Sequence, residues 1–162
     1  SPATSPSMRV GYLGPPGTFS EEAVGRLPLA APAERVPFAS FADAYEAALQ
    51  GEVDAALLPV ENSLEGAVGA TLDLLVQGPG LRIRRELMLP VEQQLLALPG
   101  TRLPDVRKVV SHPQALGQCG AFLRDRLPGV PLEPTHSTAE AARQAAERAG
   151  TAAIGSRIAA LA

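Results

Sequence analysis

The run at residues 53–60, VDAALLPV, constrains the fold more than any other part of the chain. Nearly continuous apolar residues over this length are typical of a strand that is buried on both faces, as in a parallel sheet covered by helices. Successive parallel strands need a crossover connection of about a dozen residues or more, usually a helix. The run therefore predicts an α/β protein in which strands and helices alternate.

The rest of the sequence supplies that alternation, with apolar runs that predict strands and capped or amphipathic stretches that predict helices. The predicted strands are at residues 8–13, 34–39, 53–60, 81–89, 91–98, 106–111, 131–135 and 151–155. The predicted helices begin near Thr18, Ser40, Leu64, Pro113, Ser137 and Ser156. Because a similar series of elements occurs twice, we expect mostly parallel sheets in two lobes, at about residues 8–88 and 89–162.

Composition excludes several classes of protein. The net charge is −3 and no basic patch stands out, which argues against nucleic acid as a partner. No apolar run approaches the roughly 20 residues that span a bilayer. Residues 1–7, SPATSPS, predict a flexible tail rather than a secretory signal. The single cysteine, Cys119, allows no internal disulfide, which favours a cytoplasmic protein.

Polar loops join several predicted strands to the following helices, at residues 14–20, 61–66, 111–118 and 136–138. In open α/β sheets, ligands bind beyond the carboxyl ends of the strands, and the N–H groups of helix N-termini favour anions. We therefore expect an anion site in a cleft between the lobes. Two distant histidines and the absence of CxxC, HExxH and GxxxxGK[ST] motifs predict neither a metal nor a nucleotide cofactor.

Residues in and near these loops also have purely structural interpretations. Thr18, Ser40 and Ser137 each begin a capping box, which stabilises a helix by about 1 kcal/mol, and Ser40 is interpreted only in this way. Glu61 directly follows the apolar run, where a surface carboxylate and a site residue are both consistent with the pattern. Cys119 lies on the predicted apolar face of its helix and is interpreted as a buried, unreactive thiol.

The same loops carry stretches that resemble the prephenate dehydratase family. In the order of the family, these are residues 14–23 (GPPGTFSEEA), 59–66 (PVENSLEG), 111–119 (SHPQALGQC), 137–142 (STAEAA) and 152–156 (AAIGS). The resemblance implies a two-lobed fold like that of type II periplasmic binding proteins, with an interlobe active site and no cofactor. It also implies a homo-oligomer that decarboxylates and dehydrates prephenate to phenylpyruvate in phenylalanine biosynthesis.

The resemblance assigns residues to the site as well. It implies that the catalytic residues are Thr18, Asn62, Ser111 and Gln118. It implies that the residues around the substrate are Ser20, Glu61, Ser63, His112, Gln114, Ser137 and Thr138. Uncharged donors suit this reaction, because a cation bound to the carboxylate that leaves as CO₂ would stabilise the ground state.

Two parts of the family pattern do not occur in the 162 residues: a Thr-Arg-Phe motif, on a strand that returns to the first lobe, and the ACT regulatory domain. We therefore expect weak substrate binding, poor or no turnover, and self-association through an open sheet edge. The alternative is a non-catalytic module that binds a small carboxylate in the same cleft. A flavodoxin-like or nucleotide-binding domain would need a phosphate loop that the sequence does not contain.

Overall fold

A computed structural model of the chain describes residues 7–63, 66–78 and 80–160. Its strands are β1 (Arg9–Leu13), β2 (Glu34–Phe38), β3 (Ala55–Leu57), β4 (Glu61–Asn62), β5 (Gly66–Ala67), β6 (Gln94–Leu96), β7 (Lys108–Ser111), β8 (Leu132–Pro134) and β9 (Thr151–Gly155). Its α-helices are α1 (Phe19–Gly25), α2 (Phe41–Leu49), α3 (Gly69–Gln77), α4 (Pro113–Gln118), α5 (Gly120–Arg126) and α6 (Thr138–Glu147). None of the described helices is both long and apolar enough to cross a membrane.

The described residues form two compact units. Unit 1 contains the described residues up to Pro15 together with Ser20–Leu89, and unit 2 contains Pro16–Phe19 together with the described residues from Pro90 onward. The short segment Pro16–Phe19 therefore packs with unit 2, although the residues on both sides of it in the chain belong to unit 1. The assignment of residues 8–88 and 89–162 to two functional lobes stays a prediction.

Unit 1 is built on a three-stranded parallel sheet with the order β2-β1-β3. Val10 and Tyr12 of the central strand are buried against Val24 of α1. Helix α2 begins after Ser40, whose hydroxyl oxygen accepts a hydrogen bond from the Asp43 N–H at 3.0 Å. The interpretation of Ser40 as a helix cap is therefore confirmed.

Unit 2 contains a four-stranded sheet with the order β6-β9-β7-β8. Strand β7 is parallel to β8 and β9, whereas β6 is antiparallel to β9. All five residues of β9 are buried, and the small side chains Ala141 and Ala145 of α6 pack on Val110 and Ala153 of the sheet. Strand β8 lies at an edge, where its one proline, Pro134, removes the fewest ladder bonds. The predicted α/β class with mostly parallel sheets is confirmed.

The helix predicted directly after Ser63 begins later in the structure than the sequence predicts. Strand β4 pairs with β5 in an antiparallel hairpin, and the Val68 N–H donates to the Val60 carbonyl at 2.9 Å. These backbone pairs delay the helix until Gly69. Leu64, at the start of the predicted helix, lies outside the described residues.

Three other predicted elements also differ from the structure. Residues 81–89 form no strand, and Ile83 and Met88 are 72% and 88% exposed, because nothing described pairs with this segment. The helix predicted from Pro113 divides at Cys119 into α4 and α5, between two glycines of low helix propensity. Residues 157–160 form turns rather than the predicted helix, and residues 161–162 lie outside the described residues.

We expect Gly11→Ala to destabilise unit 1. A Cβ on Gly11 would lie 2.8 Å from Cε2 of Phe38 and 3.4 Å from Cγ2 of Val53, so the Phe38 ring must move. Overpacking of this kind typically lowers the free energy of unfolding by about 1–3 kcal/mol. Urea unfolding followed by circular dichroism measures the change.

Gly69→Ala is the matched control, because a Cβ at this position meets no atom within 4 Å. It should change the free energy of unfolding by less than about 0.5 kcal/mol. Equal losses in the two variants would contradict the close approach of Phe38 to β1.

Candidate active site

The carboxyl ends of β7 and β9 lie side by side, because these strands are neighbours and parallel. Strand β7 ends at Ser111, from which the chain passes through His112 into α4, and β9 ends at Gly155, followed by Ser156. Ligands of open α/β sheets bind beyond such ends. This edge of unit 2 therefore collects several of the predicted site segments, and it is the candidate site that the structure describes best.

Ser111 is completely buried, and its hydroxyl donates to the carbonyl of Ile154 on β9 at 2.7 Å. Its own carbonyl accepts from the Thr135 N–H at 2.8 Å. A serine hydroxyl has one proton and two lone pairs. Ser111 therefore uses its only side-chain proton to hold the sheet edge together, and its predicted catalytic role stays a prediction.

His112 and Gln114 are exposed at the N-terminus of α4. His112 caps the helix, because its Nδ1 accepts from the Gln114 N–H at 3.2 Å. A neutral imidazole that accepts at Nδ1 carries its proton at Nε2. The ring thus presents an N–H group on its far side.

Gln118 is exposed at the end of α4, and its Oε1 accepts from Nε2 of Gln93 at 3.2 Å. With the oxygen occupied, the –NH₂ group of Gln118 is the part of the amide that can donate to a ligand. Gln93 belongs to the predicted strand at 91–98, but no sequence signal distinguishes it from Gln94 beside it. Its contact with a predicted site residue is visible only in the structure.

Ser137 is the cap of α6, because its hydroxyl oxygen accepts from the Glu140 N–H at 3.1 Å. Its carbonyl accepts from the Thr135 hydroxyl at 2.9 Å. Thr138 packs at the end of β9, where its Cγ2 would lie 3.1 Å from a Cβ on Gly155. The structural interpretation of Ser137 is confirmed, and the first turn of α6 belongs to the same edge of the sheet.

Thr18 lies in the segment Pro16–Phe19, which packs with unit 2. The preceding residue, Gly17, is buried with a φ of 91°, and its carbonyl accepts from the Ser156 hydroxyl at 2.8 Å. A Cβ on Gly17 would lie 3.7 Å from Cβ of Ala139 in α6. The peptide that leads into Thr18 is therefore attached to the carboxyl end of β9, beside the start of α6.

The remaining predicted site residues lie in unit 1. Ser20 is half-buried in the first turn of α1, and Asn62 is half-buried in the β4–β5 hairpin. Glu61 and Ser63 are exposed on the same hairpin. Asn62 thus sits on a strand and not at the start of a helix, and the role of these four residues at the substrate stays a prediction.

The predicted site residues in unit 2, which are Thr18, Ser111, His112, Gln114, Gln118, Ser137 and Thr138, include no carboxylate, lysine or arginine. Among the described residues, no group of three or more His, Cys, Asp and Glu side chains is placed to hold a metal ion. Cys119 is only partly buried, between α4 and α5, and burial raises the pKa of its thiol. The predicted burial of Cys119 is thus only partial, and the raised pKa disfavours the nucleophilic thiolate, as expected of an unreactive thiol.

Comparison with known proteins adds the family. The family model described as prephenate dehydratase matches residues 10–162. The prephenate dehydratase of Bacillus subtilis (strain 168) is 41% identical over 138 residues, which cover 84% of this chain and 48% of that protein. Arogenate dehydratase 5, chloroplastic, of Arabidopsis thaliana is 41% identical over 143 residues, which cover 88% of this chain and 33% of that protein.

A solved structure gives the same result for the fold. The crystal structure of prephenate dehydratase in complex with L-Phe from Arthrobacter aurescens matches with a TM-score of 0.82 at 39% identity, covering 94% of this chain and 51% of that chain. The chain thus spans between a third and about half of the length of these proteins. Since the family model covers nearly the whole chain and includes every segment that forms the edge of the unit 2 sheet, the chain belongs to the prephenate dehydratase family.

Proposed function

We propose that the chain acts in the conversion of prephenate to phenylpyruvate. The observation that carries the proposal is the match to the prephenate dehydratase family over residues 10–162. The gathering of the Thr18, Ser111 and Ser137 segments at one sheet edge supports it, because these segments are far apart in sequence. Their placement agrees with the rule that ligands bind at the carboxyl ends of parallel strands.

The reaction requires little covalent chemistry from the protein. One carboxylate leaves as CO₂, the electron pair of the broken C–C bond enters the ring, and the ring hydroxyl leaves as water after it takes up a proton. The ring becomes aromatic. The protein therefore has to hold the carboxylate that survives, keep cations away from the one that departs and assist the hydroxyl.

The groups described in unit 2 suit the first two tasks. The –NH₂ group of Gln118 can donate to a surviving carboxylate, since Gln93 occupies the amide oxygen. The Nε2–H of His112 is a second uncharged donor. We assign carboxylate binding to these two side chains, and to Thr18 and Asn62 we assign donors at the reacting part of the substrate.

A second candidate function is a non-catalytic module that binds a small carboxylate. It is favoured by the engagement of three predicted site groups with the protein backbone: Ser111 donates to Ile154, while Ser137 and His112 accept from the backbone of their own helices. The proton of the Ser111 hydroxyl is committed to Ile154 and is not available to a leaving hydroxyl.

Mixing the purified chain with prephenate in the presence of EDTA distinguishes the two functions. We expect little or no phenylpyruvate, followed by its absorbance, from the chain alone, and we expect its formation to need no added metal. Because no Thr-Arg-Phe motif occurs in the sequence, we expect the rate to rise when that segment of a relative is appended. Calorimetric binding of prephenate with no product from either chain would establish the binding module. Turnover of arogenate but not of prephenate would show that the substrate is arogenate.

Side-chain substitutions test the assignment of the donors. Asn62→Ala should lower kcat by about 10²–10³, the usual effect of removing one donor aimed at developing charge, whereas Gln118→Ala, which removes a donor to the surviving carboxylate, should chiefly raise KM. Ser40→Ala is the control: it removes a helix cap in unit 1, should lower stability by about 1 kcal/mol and should leave kcat unchanged. Equal losses of kcat in all three variants would contradict the assignment.

We also propose that the chain associates with copies of itself in the cytoplasm. Strand β3 has a described neighbour on one side only, and Val76 and Met88 of unit 1 are 82% and 88% exposed. Unpaired edges and exposed apolar side chains favour association. The chain has a single cysteine, Cys119, which agrees with a reducing compartment such as the cytoplasm.

Light scattering over a range of concentrations measures this association. We expect a mass above that of one 16.8 kDa chain, reduced by Val76→Glu because the charge would be buried at a contact. Val91→Glu, at a 53% exposed position in unit 2, is the matched control. A single-chain mass at every concentration would contradict the proposal.

A further inference from the structure

Ser156 is the one completely buried serine besides Ser111 among the described residues, and it follows directly after β9. Its hydroxyl donates to the Gly17 carbonyl at 2.8 Å and accepts from the Ala159 N–H at 3.2 Å. The single proton of the hydroxyl and one of its lone pairs are thus both used. Ser156 lies in the AAIGS stretch, yet neither that stretch nor its predicted helix assigns it a role.

The bond to Gly17 joins two peptides that are 139 residues apart in the chain. The carbonyl of Gly17 and the N–H of Thr18 belong to one planar peptide group. A hydrogen bond that fixes the carbonyl therefore also fixes the direction in which the chain enters Thr18.

The residues packed around Gly17 also restrict the position of this peptide. Gly17 is buried with a φ of 91°, a backbone conformation that residues other than glycine rarely adopt. A Cβ on Gly17 would lie 3.7 Å from atoms of two alanines, Ala139 of α6 and Ala159 of the turn after Ser156. The bond from Ala159 to the Ser156 hydroxyl holds that turn as well.

We propose that Ser156 is a positioning residue that sets the place of Thr18 at the candidate site through the Gly17–Thr18 peptide. The inference deepens the proposed function and rests on it where turnover is concerned. Ser156 touches no substrate in this role. Loss of its hydroxyl removes the hydrogen bond from Ser156 to the Gly17 carbonyl, and a displacement of about 1 Å at a reacting group can lower a rate by about 10².

The first experiment needs no turnover. Backbone ¹⁵N relaxation of the full 162-residue chain reports the mobility of the Thr18 N–H. We expect an order parameter of about 0.85 for the original chain and for Ser156→Thr, which keeps the hydroxyl, and a value below about 0.6 for Ser156→Ala. Ser40→Ala, which removes a hydroxyl oxygen that accepts from the Asp43 N–H in unit 1, should leave Thr18 rigid. A rigid Thr18 in Ser156→Ala would overturn the proposal.

The second experiment uses a double-mutant cycle on the conversion of prephenate. Ser156→Ala should lower kcat by about 10–10² in the original chain and have almost no effect in a Thr18→Ala background, because it acts through Thr18. Ser156→Thr should restore most of the lost kcat. An equal loss in both backgrounds would show a general effect on stability and would overturn the proposal. If neither the original chain nor the chain with the appended Thr-Arg-Phe segment converts prephenate, the proposed function fails, and the mobility of Thr18 alone decides the role of Ser156.

Discussion

The hydrogen bond from the Ser111 hydroxyl to the Ile154 carbonyl joins the two central strands of the unit 2 sheet at the edge from which its loops leave. The same residue accepts at its carbonyl from Thr135, which follows β8. One serine thus ties three adjacent strands together at their carboxyl ends. Since a buried hydroxyl or carbonyl without a partner typically destabilises by about 1–3 kcal/mol, these bonds keep the strand ends in register, and the loops inherit their positions from that register.

The polar side chains at this edge are held mainly by bonds to the backbone. Ser137 and His112 accept from the helices they begin, and Ser156 joins the turn after β9 to the segment that carries Thr18. Ordering such groups during folding removes the entropic cost that a ligand would otherwise meet on binding. A site arranged in this way suits a reaction in which the protein chiefly holds a substrate and its developing charge in place.

Local signals in the sequence predicted a large part of the fold. The caps at Ser40 and Ser137 were recognisable from the acidic residue three positions later, and the apolar run at 151–155 became the most buried strand. The failures have a common cause. The hairpin at Glu61–Asn62 and the unpaired segment at 81–89 depend on which backbone groups find a partner elsewhere in the chain, and no local pattern contains that information.

The sequence by itself determined the α/β class, the order of most elements, the family and the stretches from which a site is built, because periodicity, caps and motifs are properties of neighbouring residues. Only the tertiary structure decided what each polar group is bonded to. In it the Ser111 hydroxyl donates to the Ile154 carbonyl, and the Gln118 amide oxygen accepts from Gln93. The Gly17 carbonyl accepts from the Ser156 hydroxyl. These bonds join residues that lie 25 to 139 positions apart, and the chain brings such residues together only when the strands of the sheet are paired and buried.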